Sequence, residues 1–305
     1  MLDKFLPINI SNAINIYKDL IDLNEIRIRV NKPIIVSVKN KRYYLGIHGF
    51  CDKKDAIVCD YSTVQGIVYK MCENSVYSVN DYIKNGYITL KGGVRVGISG
   101  EVVSENGKVI TIKNFQGLNI RIPHLIEGCS ELALDYILLD KFCNTLVVSP
   151  PGAGKTTFIR DVVLQLSKRK YCYNVLIADE RNEIVSSSSG ETDFDLGEFC
   201  DIYTNCSKEF AIKNGIRSMN PDIVVCDELD IDKDLQTIIN ATNCGVKLLS
   251  TIHCDSVVNL KLKKNFDYIL DNKIFDRYIF LSLDDGPGTI KYIYDEKLQC
   301  IYCRW

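Results

Sequence analysis

The sequence predicts an α/β protein in which a parallel sheet wrapped by helices follows a smaller α+β domain. Three observations predict it. Four short apolar runs, at residues 145–148, 175–178, 223–226 and 246–251, alternate with helical patterns through the second half of the chain. Strands buried on both faces of a parallel sheet read in this way. The first half instead carries alternating runs separated by turn residues, with Asn106-Gly107 between two of them as the strongest hairpin signal. Third, the apolar run at 145–148 stops at Pro150-Pro151-Gly152 and opens into a pattern in which Phe158, Ile159, Val162, Val163 and Leu166 recur at helical spacing.

Residues 1–20 read as a helical lead-in, with Ile10, Ile14, Tyr17, Leu20 and Ile21 on one face. Residues 24–30 alternate charged and apolar side chains, as a half-buried strand does. Pro33 breaks this run, and 34–38 with 42–45 predict a further hairpin. Ser62 and Thr63 are candidate caps for a helix carrying Val64, Ile67, Val68 and Met71. Strands are expected at 87–90, 94–103, 108–112 and 118–122, the last ended by Pro123. The expected domains are residues 1–125 and 126–305, with 123–130 as the connection. Ser186 to Gly190 reads as a mobile surface loop, and 278–283 with 289–294 as a closing strand pair.

Composition narrows the class. Net charge is −2, with 18 Lys/Arg against 15 Asp/Glu in residues 1–141 and 19 against 24 thereafter. Neither half is basic enough to announce nucleic acid, and none is expected as a partner. With no long apolar run and no basic-then-apolar start, direct membrane insertion and export are not expected, and a cytoplasmic location is. The thirteen cysteines then read as reduced thiols. Cys300 and Cys303 form the one C-x-x-C, and neither a second pair nor a helix start accompanies it.

The chemistry concentrates at Ser149-Pro150-Pro151-Gly152-Ala153-Gly154-Lys155-Thr156-Thr157, a strand–loop–helix junction of P-loop type. Loop N–H groups and the helix N-terminus surround phosphates, Lys155 reaches the β/γ-phosphates, and the Thr156 hydroxyl ligates Mg²⁺. These are the residues expected to bind ATP. The pattern begins with Gly, and Ser149 stands in its place, so the loop entry is expected to have negative φ or to carry strain. Downstream, Asp222-Ile223-Val224-Val225-Cys226-Asp227-Glu228 is an apolar strand ending in two acids, the Walker B pattern. Asp227 is expected to hold Mg²⁺ through water, and Glu228 to orient and deprotonate the attacking water.

Further motifs make the reading specific. Arg217-Ser218-Met219-Asn220-Pro221-Asp222 precedes Walker B, Leu249-Ser250-Thr251-Ile252-His253 follows it, and Ala178-Asp179-Glu180-Arg181-Asn182-Glu183 lies upstream. With them the chain resembles the secretion and pilus-retraction ATPase superfamily, with one extra residue between Arg217 and Pro221-Asp222. Glu25-Ile26-Arg27-Ile28-Arg29, Gly93-Val94-Arg95-Val96-Gly97 and Asn119-Ile120-Arg121-Ile122 extend the likeness into the first half. Within the superfamily they resemble the stage III sporulation AA family.

That resemblance implies a RecA-like P-loop domain and a homo-hexameric ATPase motor peripheral to the inner face of a membrane. Its partners would be the membrane-embedded subunits of a sporulation channel complex. It also makes Arg95 and Arg121 candidates to reach the nucleotide, often from a neighbouring subunit, against ordinary surface arginines. His253 would sense the γ-phosphate, and Glu183 would line the site. Two other readings stay open: a RecA-like nucleic-acid translocase, and a nucleotide-gated assembly scaffold with little turnover.

Overall fold

The computed structural model describes residues 2–16, 23–38, 41–72, 83–84, 86–90, 93–122, 126–168, 172–188, 191–192 and 194–304. The chain divides into two compact units, Met1–His124 and Leu125–Trp305.

In the first unit, helix α1 (Ile8–Asn15) starts at Pro7 and buries Ile10 and Ala13. Tyr17, Leu20 and Ile21 lie outside the described residues. Strands β1 (Leu23–Arg29), β2 (Ile35–Val38), β3 (Lys41–Gly46), β4 (Gly49–Cys51), β5 (Tyr87–Thr89), β6 (Arg95–Glu105) and β7 (Lys108–Arg121) form an antiparallel sheet in the order β4-β3-β2-β1-β7-β6-β5. Ile26, Ile28, Val36, Val96, Leu118 and Ile120 are buried on its inner face. The alternate positions Glu25, Arg27, Arg95, Asn119 and Arg121 therefore share the other face.

Two sequence expectations change here. Helix α2 (Tyr61–Met71) is capped by Asp60, whose carboxylate accepts from the Thr63 N–H at 2.8 Å, so Ser62 and Thr63 lie beyond the cap position. The strands expected at 108–112 and 118–122 are one strand, β7, because Gln65 of α2 bridges the stretch between them. Its side-chain amide donates to the Phe115 carbonyl at 2.7 Å and accepts from the Phe115 N–H at 3.2 Å, which satisfies the backbone where alternation lapses. The Asn106-Gly107 turn forms as expected, with φ of 50° and 76°, the two left-handed residues that a tight hairpin needs.

In the second unit, β8 (Thr145–Ser149), β9 (Val175–Asp179), β12 (Cys200–Thr204), β13 (Ile223–Cys226), β14 (Lys247–His253), β15 (Arg277–Ser282), β16 (Thr289–Tyr294) and β17 (Cys300–Cys303) make one sheet in the order β12-β9-β13-β14-β8-β15-β16-β17. All neighbours from β12 to β15 are parallel, and the last two strands run antiparallel. Alternate strand residues enter two cores. Val147, Ile177 and Val225 pack with helices α3 (Glu131–Ile137) and α4 (Lys155–Lys168). Leu146, Leu176 and Val224 pack with α5 (Lys208–Met219), α6 (Ile231–Asn243), α7 (Val257–Lys261) and α8 (Phe266–Asp271) on the other side. Two-sided burial is why these strands read as unbroken apolar runs.

Edge strand β12 was not expected. Its residues are intermediate or exposed, so they lack the apolar signature of the central strands. Part of the serine tract is anchored: β10 (Ser187–Ser188) pairs with β11 (Glu191–Thr192), and Asn182 Oδ1 accepts from the Ser187 N–H at 2.7 Å. A bulge in β16–β17 pairs Cys300 with Tyr294 and Cys303 with Tyr292, which puts both thiols on one face. Every cysteine is free, and among the described residues no group of three His, Cys, Asp or Glu side chains could hold a metal ion.

The end of the expected connection is built into the second unit. Asp161 of α4, fully buried, accepts from the N–H groups of Gly128 and Ser130 at 2.8 and 2.7 Å and from the Ser130 hydroxyl at 2.7 Å. Asp161→Ala strands these donors, and unsatisfied buried groups cost about 1–3 kcal/mol each. A loss of about 3 kcal/mol or more is expected in urea unfolding. An unchanged midpoint would contradict this anchoring role.

Candidate functional site

Strand β8 delivers the chain to a loop that turns on two left-handed glycines, Gly152 at φ 77° and Gly154 at φ 85°. A Cβ at Gly154 would also stand 3.0 Å from the Gly288 nitrogen, while the Gly288 N–H donates to the Ala153 carbonyl at 2.8 Å. The turn between β15 and β16 thus buttresses the loop, a role its sequence did not announce. Ser149 is still strand residue β8, buried, and absent from the positive-φ positions. The glycine is dispensable there because the backbone never enters the left-handed region. Pro151 and Gly152 are exposed and Ala153 is buried. Thr156 and Thr157 lie in the first turn of α4.

Lys155 opens α4 and is 7% exposed. Its ammonium donates to the Ser149 hydroxyl at 3.2 Å, the Ser149 carbonyl at 3.4 Å and His253 Nδ1 at 2.9 Å. All three acceptors are neutral, and burial depresses its pKa. A buried cation held only by neutral groups is suited to receive an anion. His253 reaches it because β14 and β8 are neighbours in which His253 pairs with Ser149. Burial, then Lys155 itself, lowers the His253 pKa. The imidazole is therefore neutral, accepts at Nδ1, and turns Nε2–H toward Glu228 Oε1, 3.8 Å away.

The acids at the end of β13 complete the cluster. Asp227 accepts from the Thr156 hydroxyl at 2.9 Å and from the Thr251 hydroxyl at 2.6 Å. Glu228 has left-handed φ, 43°, and its N–H donates to Thr251 Oγ1 at 2.9 Å. Thr251 thus positions both acids. Glu228 also pairs with Arg181, which donates from Nη1 to Oε2. Sequence reasoning assigned no role to Arg181, although it lies within a motif it singled out. A crevice of about 670 Å³ opens beside these groups, lined by Glu180, Arg181, Lys208, Glu228 and His253 among others.

At the end of β9 the first acid turns inward. Asp179 does not face the crevice: it is 1% exposed and accepts from the N–H groups of Glu183, Ile184 and Val185 at 2.8, 2.8 and 2.9 Å. Burial raises its pKa against those bonds. Arg160 of α4 clamps the same turn through the Glu183 and Ile184 carbonyls, stacks on Phe194, and has its pKa pushed down by burial to about 10. Beside it Lys208 bridges Glu180 at 2.9 Å and Asp234 at 3.2 Å. Arg95 and Arg121 belong to the first unit, directly paired across β6 and β7. Arg95 lies over the Tyr87 ring at 4.1 Å, and Arg121 is flanked on its other side by Glu25 of β1.

Residues 5–301 match the family described as sporulation stage III, protein AA. The chain belongs to that family. It is 31% identical over 298 residues to stage III sporulation protein AA of Bacillus subtilis (strain 168), covering 95% of this chain and 93% of the relative. Among solved structures, the Legionella pneumophila ATPase DotB matches with a TM-score of 0.61 at 12% identity, over 91% of this chain and 76% of that one. The pilus retraction motor PilT with bound ADP matches with a TM-score of 0.57 at 14% identity, over 88% and 76%. At such identities the likeness establishes the fold, which is that of the secretion ATPases with their RecA-like P-loop domain. No helix among the described residues is long and apolar enough to cross a membrane.

Proposed function

We propose that this protein is an ATP-hydrolysing motor of secretion type that energises or assembles a membrane channel complex during sporulation. The observation that carries this reading is the buried Lys155 ammonium, held by neutral acceptors at the mouth of a glycine loop, beside the Thr156–Asp227 pair. The loop N–H groups, the α4 N-terminus and Lys155 bind the phosphates. Thr156 and Asp227 fit Mg²⁺, whose usual site keeps several waters and substrate phosphates among few protein ligands. The ion would neutralise charge developing on the phosphoryl oxygens.

Glu228 accepts the proton of the attacking water, and His253, neutral and next to Lys155, reports the state of the γ-phosphate. Arg95 and Arg121 supply positive charge from a neighbouring chain in a hexamer. Membrane association comes through protein partners at the inner face of the membrane. An ATP-gated scaffold would share the binding groups but have no use for a base at Glu228.

The test joins turnover to assembly. An arginine supplied in trans is worth about 10³–10⁵ in turnover. ATPase activity per subunit should therefore climb with protein concentration. Mixing Arg121→Ala with Lys155→Ala subunits should restore activity that neither has alone. Flat specific activity above and below ring assembly would mean each chain completes its own site. Failed complementation between variants shown to co-assemble would remove these arginines from the site. Absence of wild-type hydrolysis in the assembled ring would leave the scaffold.

A further inference from the structure

A line of donors leads to the Glu228 carboxylate. Lys155 donates to His253 Nδ1, His253 turns Nε2 to Glu228 Oε1, and Arg181 donates to Glu228 Oε2. The two ends of this chain are fixed. Arg181 stands on the turn that Asp179 ties through three backbone N–H groups and that Arg160 clamps through two carbonyls. Lys208, 7% exposed, holds the adjoining Glu180. Glu228 is rooted by Thr251 and by the Leu229 N–H, which donates to the Thr251 carbonyl at 2.7 Å. Its left-handed backbone is one that a residue with a side chain keeps only where its surroundings over-determine it.

We propose that Arg181 is a positioning residue that latches the Glu228 carboxylate, and that this ion pair opens when phosphate enters the loop. The inference rests on the ATPase reading. A carboxylate oxygen bound to a guanidinium is less open to the proton of an attacking water than a free one. Entry of phosphate gives Lys155 an anionic partner in place of His253, and the attacking water needs the Glu228 oxygen that Arg181 holds. Binding therefore spends part of its free energy on opening the latch, so removing the latch tightens binding.

The test is a double-mutant cycle on the full chain, reading the Kd of the non-hydrolysable β,γ-imido analogue of ATP with Mg²⁺. Pairs of this exposure contribute enough to shift binding about two- to five-fold. Arg181→Ala and Glu228→Gln should each tighten binding by about that factor, and the double variant should bind no tighter than Arg181→Ala alone. Arg181→Lys keeps the charge and should keep the wild-type Kd. With ATP, Arg181→Ala should raise kcat above wild type. Arg181 is largely exposed, 58% at its side chain, so its variants should melt as wild type does. Wild-type binding with unchanged affinity in Arg181→Ala, or with additive effects in the double variant, overturns the latch and leaves the ATPase reading intact. A fall in kcat of tenfold or more in Arg181→Ala also overturns it, because the guanidinium would then touch the reacting phosphate. A wild-type chain that binds no nucleotide sinks the function and, with nothing to open the latch, this inference.

Discussion

Lys155→Ala is expected to abolish nucleotide binding and hydrolysis while leaving the fold intact. The ammonium lies buried at the loop mouth without a carboxylate in its hydrogen-bond shell, and burial already depresses its pKa. Two charge-assisted hydrogen bonds to phosphate oxygens, at about 1.5–3 kcal/mol each, weaken binding about 10²–10⁴-fold when lost. Removing a desolvated cation held only by neutral acceptors carries no comparable penalty for the fold. The neutral groups it leaves are Ser149, which also donates to the Pro150 carbonyl, and the partly exposed His253. Calorimetric titration with ATP and Mg²⁺, paired with thermal melting, separates the two effects. Affinity near wild type would take the glycine loop out of the function, and a collapse in melting temperature would make Lys155 a structural residue.

Glu228→Gln should separate binding from chemistry. Glutamine keeps the shape and loses the base, and general-base groups contribute about 10²–10⁴-fold. The variant should bind ATP at least as tightly as wild type, since the charge that Arg181 holds is gone, and should retain it uncleaved. Recovery of intact ATP from the isolated protein after many wild-type turnover times is the measurement. Turnover within a few-fold of wild type would move the base elsewhere, with Glu183 on the clamped turn the first alternative.

Much of this site is legible in the sequence because its signals are local. The glycine loop, its lysine and threonine, and the two acids after an apolar run each occupy a handful of adjacent positions. Their order along alternating strands and helices is enough to send them to the carboxyl ends of neighbouring parallel strands. The β13 range, Ile223–Cys226, coincides with its apolar run for the same reason: burial on both faces leaves an unbroken signature. Edge strand β12 has no such signature, and the run from Lys113 to Gly117 looked like a break because the amide that satisfies it, Gln65, lies on a helix far back in the chain.

Local pattern alone therefore determined the fold class and pointed to the candidate phosphate loop and the candidate magnesium and base residues. Tertiary structure decided how those residues are held. The Asp179 carboxylate turned inward to tie its own turn. Arg181 met Glu228 across 47 positions of sequence, and Gly288 met Ala153 under the loop. Short patterns encode which backbone a segment adopts, since that choice is made among adjacent residues. Pairing between side chains on different elements depends on strand order and register, which only packing of the whole sheet sets.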